Sequence, residues 1–81
     1  MNKLPIHTSE YSVTSDGISF DGYYLSKIFH NGYFILTWTS GYTQTFNKQI
    51  FDTLEGVERF LSINDKTLKA FKRIKKFVKL I

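Results

Sequence analysis

The sequence predicts an α+β domain, with a small antiparallel sheet of three to four strands followed by two helices packed on it. The second helix is expected to be basic and amphipathic. Three observations carry this reading. Between Glu10 and Phe46 the chain is dense in β-branched and aromatic residues and is cut by four X-Gly pairs, a composition that suits strands joined by tight turns. After Phe46 the spacing of apolar residues changes to a helical period. The final sixteen residues, KTLKAFKRIKKFVKLI, hold seven of the eleven basic residues and none of the seven acids. Strands first and helices after, without alternation, is the order of α+β domains.

Residues 1–9 contain only a scattered apolar trio and are expected to be poorly ordered. The sheet is assigned to 10–46, with strands near 10–14, 18–29, 33–39 and 42–46, and Asp21-Gly22 marks a turn or a bulge inside the second run. A two-residue Asn31-Gly32 loop would set Phe29 opposite Phe34, Lys27 opposite Leu36 and Leu25 opposite Trp38 on one face. That face, centred on Leu25, Phe29, Phe34, Leu36 and Trp38, is the candidate core. The other carries Tyr24, Ser26, Ile28, His30, Tyr33, Ile35, Thr37 and Thr39. In DTLEGVERFLSIND, Leu54, Val57 and Leu61 recur at helical spacing with Phe60 beside them, which places a first helix at 53–63. Asp52 and Glu55 have the spacing of a capping box. Asn64 suits a left-handed helix end, and Asp65 suits the cap of the next helix, over 66–80.

On a helical wheel at ~100° per residue, Ala70, Phe71, Ile74, Phe77, Val78 and Ile81 share an arc of roughly 120°, with Leu68 at its edge. Lys66, Lys69, Lys72, Arg73, Lys75, Lys76 and Lys79 fill most of the opposite half, and only Leu80 is out of place. The apolar stripe would dock on the sheet. A solvated outer face needs no row of like charges, because each such pair at i,i+3 or i,i+4 costs about 0.2–0.5 kcal/mol. Favourable placement of cations near a helix C-terminus offsets part of that cost. A neighbouring first helix bearing Glu55 and Glu58 would offset more.

The composition bounds the function. Eighty-one residues, 42% of them apolar, make one small folded domain. The chain has no cysteine, so disulfides and thiolate metal sites are excluded. It has neither a signal-peptide pattern nor an apolar run long enough to span a membrane, and a cytoplasmic protein is expected. Residues 1–65 hold four basic groups against seven acids, whereas residues 66–81 carry +7, within a net charge of +4. No phosphate-binding loop, dinucleotide motif or nucleophile elbow is present. His7 and His30 lack partners at metal-ligand spacing. No enzyme, cofactor, metal or small-molecule substrate is expected.

The sequence therefore predicts a non-catalytic binding domain whose basic helix engages nucleic acid through phosphates, using Lys66, Lys69, Lys72, Arg73, Lys75, Lys76 and Lys79. An acidic protein surface would fit the same charges. A membrane surface fits poorly, because the apolar stripe is needed for the core. Tyr24, Tyr33 and Tyr42 offer stacking surfaces for unpaired bases, although two helices on a two-faced sheet favour burial of that second face. The build (tiny, cysteine-free, rich in Lys, Asn, Ile and Phe) resembles that of many small phage- or plasmid-encoded proteins. That resemblance implies the alternative of an inhibitor or adaptor that occludes a host protein. Charge separation also allows head-to-tail contact between copies, so a monomer or a weak homodimer is expected.

Overall fold

A computed structural model describes residues 4–28, 32–42 and 44–81. The chain is α+β, with a six-stranded antiparallel sheet rather than three to four strands: β1 (Ile6–His7), β2 (Tyr11–Val13), β3 (Ile18–Phe20), β4 (Tyr23–Ile28), β5 (Tyr33–Ser40) and β6 (Thr45–Phe51). The spatial order equals the chain order, so the sheet is a simple meander. Two helices follow, α1 (Leu54–Leu61) and α2 (Asp65–Ile74), and α2 tightens into a 3-10 segment at Lys75–Leu80. No helix among the described residues is long and apolar enough to cross a membrane.

The extra strands arise where the sequence pattern is short. Within 4–9, expected to be poorly ordered, Ile6 and His7 pair with Val13 and Ser12. The Thr8 hydroxyl closes their turn by accepting from the Tyr11 and Glu10 N–H groups at 2.9 and 3.1 Å. The second run is two strands, because Asp21 and Gly22 take φ values of 45° and 82° and reverse the chain. This is the left-handed pair that a two-residue hairpin requires. The fourth predicted strand lies further along. The chain turns through Gly41 (φ 37°) and Gln44 (φ 51°), and pairing resumes at Thr45 and runs to Phe51 rather than ending at Phe46.

The β4–β5 register differs from expectation by two residues. Leu25 faces Leu36, Lys27 faces Phe34 and Ile28 faces Tyr33, which is not the pairing that a two-residue loop would set. Predicted positions Phe29, His30 and Asn31 lie outside the described residues. Because side chains alternate with period two, a slip of two leaves both faces intact. Leu25, Phe34, Leu36 and Trp38 therefore do share the core-facing side.

Both helices pack on that same side. Val13, Ile18, Phe20, Leu25 and Leu36 of the sheet form one buried cluster with Val57, Leu61, Phe71, Ile74 and Val78 of the helical segment. Full burial of such a side chain contributes about 1.5–3 kcal/mol. An aromatic chain ties the layers together, with Phe71, Phe20, Tyr23, Trp38, Phe60 and Phe51 in successive ring contact at 5.4–5.9 Å.

The caps are one residue off the predicted pattern. Thr53, not Asp52, caps α1, its hydroxyl accepting from the Gly56 N–H at 3.0 Å. Asn64, not Asp65, caps α2 from an extended conformation, its side-chain oxygen accepting from Lys66 and Thr67. Each cap satisfies backbone N–H groups that the helix leaves open. The buried Thr67 hydroxyl donates to Asp21 Oδ2 at 2.7 Å, pinning the first turn of α2 to the β3–β4 turn.

Candidate nucleic-acid interface

The apolar stripe of the C-terminal segment docks as its spacing predicts. Phe71, Ile74 and Val78 are buried, and Ala70, Phe77 and Ile81 pack at the margin of the core. Docking fixes where the cations point. The helical azimuths divide them into a crest directly opposite the core (Lys69, Lys72, Lys76, Lys79) and two flanks. Lys66 and Arg73 lie on the flank toward the sheet turns, and Lys75 on the flank toward α1. All seven are exposed.

The 3-10 ending sharpens the crest. In a 3-10 turn residues i and i+3 eclipse, so Lys76 and Lys79 stand one above the other. From Lys69 to Lys79 the crest runs about 17 Å, with rises of ~1.5 Å and then ~2.0 Å per residue. The segment ends at a contact absent from the helical pattern: Lys27, half-buried on the core side, donates to the Ile81 carbonyl at 3.0 Å. That satisfies a terminal carbonyl and a cation together.

Acids line both flanks. Arg73 pairs with Glu10 at 3.2 Å beside a groove of about 370 Å³ that is also walled by Asp21, Lys66 and Ala70. Lys75 pairs with Glu58 at 3.0 Å. Glu58 and Glu55 line a second groove, of about 310 Å³, against Leu68. Among the described residues, the four crest lysines make no ion pair, and neither does Lys66 on the sheet flank. Lys76 alone has a partner of another kind, lying 5.2 Å over the Phe77 ring. Neighbourhood of Glu55 and Glu58 follows from the two-helix pattern. Glu10 does not, because it sits 63 positions before Arg73 and only the sheet brings it there.

The tyrosines are not part of this surface. Tyr24 and Tyr33 stand on the sheet face turned away from both helices, so among the described residues no helix gives that face the expected cover. Tyr42 is fully exposed at the β5–β6 turn. The outward sheet face also presents Ile28, Ile35, Phe46 and Ile50. Its strand residues include Lys48 and His7 but no acid, among the described residues. The two-layer body separates these rings from the lysine crest. Residues Glu10 to Asp65 bring no metal constellation either, since no cluster of three His, Asp or Glu is found among the described residues.

No protein-family model, curated protein or solved structure matches this chain.

Proposed function

We propose that this is a non-catalytic domain that binds nucleic acid through phosphates, along the crest formed by Lys69, Lys72, Lys76 and Lys79. The observation that carries the proposal is the unpaired state of those four cations, among the described residues, on a helix whose other side is committed to the core. Like charges at Lys69/Lys72, Lys72/Lys76 and Lys76/Lys79 each cost a few tenths of a kcal/mol, about 0.2–0.5 in a helix. A polyanion turns that cost into a gain by giving up condensed counterions. A crest made of lysines suits backbone contact without base readout.

Charge reversal of Lys72 and Lys76 together should weaken binding to every sequence alike. It should also flatten the slope of log K against log[salt] by about 1.8, roughly 0.9 for each lost phosphate contact. Equal affinity of wild type and variant for DNA and RNA at low salt would defeat the proposal.

A second reading is favoured by the uncovered sheet face. An inhibitor or adaptor would use Tyr33, Phe46 and Ile50 to occlude a protein target, since exposed apolar patches of this kind mark interaction surfaces. It predicts a partner that survives nuclease treatment and is lost in a Phe46→Ser, Ile50→Ser variant. Retention of the partner by that variant would refute it.

A further inference from the structure

The flanking ion pairs bear on how wide a polyanion the helix can take. Glu10 and Glu58 come from opposite sides, one from the β1–β2 turn and one from α1, and each holds the nearest flank cation. The Glu10–Arg73 pair is solvent-exposed, both side chains at 62%, and the Lys75–Glu58 pair is partly so, at 43% and 30%. Such pairs contribute little to stability. Their weight falls instead on the ligand. A phosphate that approached Arg73 would also approach the Glu10 carboxylate, with Asp21 across the same groove. One that approached Lys75 would meet Glu58, with Glu55 one turn earlier on α1. Attraction and repulsion are then set within a few ångströms of each other and largely cancel.

We infer that Glu10 and Glu58 act as specificity-determining residues that narrow the cationic face to a single line of phosphates, holding Arg73 and Lys75 off the bound strand. The inference rests on the polyanion reading above and specifies its footprint. The four crest lysines follow one backbone, and broad polyanionic surfaces are turned away by the carboxylates on either flank. Removing either acid releases one cation to the track.

The test is the salt dependence of binding to a short labelled duplex of arbitrary sequence, measured by fluorescence anisotropy. It compares the wild-type chain with Glu10→Gln, Glu58→Gln and the double variant. Each single change should tighten binding and steepen the slope of log K against log[salt] by about 0.9, and the double by about 1.8. Glu55→Gln is the control, because it removes the same charge and releases no paired cation, so its slope should match wild type. A small loss of stability would not move this slope. Slopes for Glu10→Gln and Glu58→Gln equal to that of Glu55→Gln, with binding retained, would overturn the inference and leave the crest standing. Absence of any duplex binding by the wild-type chain at low salt would overturn both.

Discussion

The molecule has two outer faces of opposite chemistry. On the helix side the outward face of the C-terminal segment is mostly cationic, with four lysines in a line without acidic partners among the described residues, and carboxylates border the line. On the sheet side the outward strand residues are Tyr, Ile, Phe, Ser and Thr, with Lys48 and His7 as the titratable groups besides the tyrosines among the described residues. Both faces are carried on the same buried seam of Phe20, Leu25, Leu36, Phe71 and Ile74. The contrast shows that hydrophobicity does not by itself reveal which face of this sheet is inside. The outward face carries Ile28, Ile35 and Ile50, but what decides burial is where two helices totalling fewer than thirty residues can dock. They are enough to cover one side only.

The largest expected effect comes from cutting the seam that both faces share. Phe71→Ala should cost about 3–5 kcal/mol, read as a fall in urea midpoint. Next is Gly17, which lies under the Tyr24 ring. An added Cβ would stand 2.6 Å from the Leu25 carbonyl oxygen and 2.7 Å from Tyr24, so Gly17→Ala should cost roughly 1–3 kcal/mol. Asn64→Ala removes an oxygen that accepts from two N–H groups at 3.0 and 3.3 Å, and about 1 kcal/mol should be lost.

The outer faces themselves should be nearly silent in stability. Phe46 is 68% exposed, and the Phe46→Ser, Ile50→Ser pair should stay within about 0.5 kcal/mol per substitution. A loss as large as that of Phe71→Ala would mean that the sheet face is covered after all. On the opposite side, Lys72→Glu replaces like-charge neighbours with attractive ones to Lys69, Lys75 and Lys76. Stability should rise by about 0.2–0.5 kcal/mol per pair while polyanion binding falls. A variant more stable yet weaker in binding is the sign pattern of a cation kept for a ligand.

Much of this architecture was legible because it depends on short-range periodicity. The stripe of Phe71, Ile74 and Val78 and the alternation in Leu25 and Leu36 are local patterns, and each survives an error in position. The two-residue slip of the β4–β5 pairing preserved both faces for the same reason. Features governed by single residues were less legible. Thr53 and Asn64 each sit beside an aspartate that caps at least as well, and local sequence does not choose between them. The two residues of β1 carry no period, and β6 lies further along the chain than the pattern at 42–46. In β6 the outward Phe46 and Ile50 invert the usual rule that the apolar side is buried. The pairing of Glu10 with Arg73 had no sequence signal, because it exists only once six strands have been laid side by side.

The lysine crest is tested most directly by duplex binding of the wild-type chain and of a variant with Lys69, Lys72, Lys76 and Lys79 all changed to Gln, across a range of salt. Wild type should bind with a log–log slope of about −3.6, the value for four phosphate contacts. The variant should remain folded and lose that binding. Equal binding by both, or none by the wild type at the lowest salt, would contradict the account.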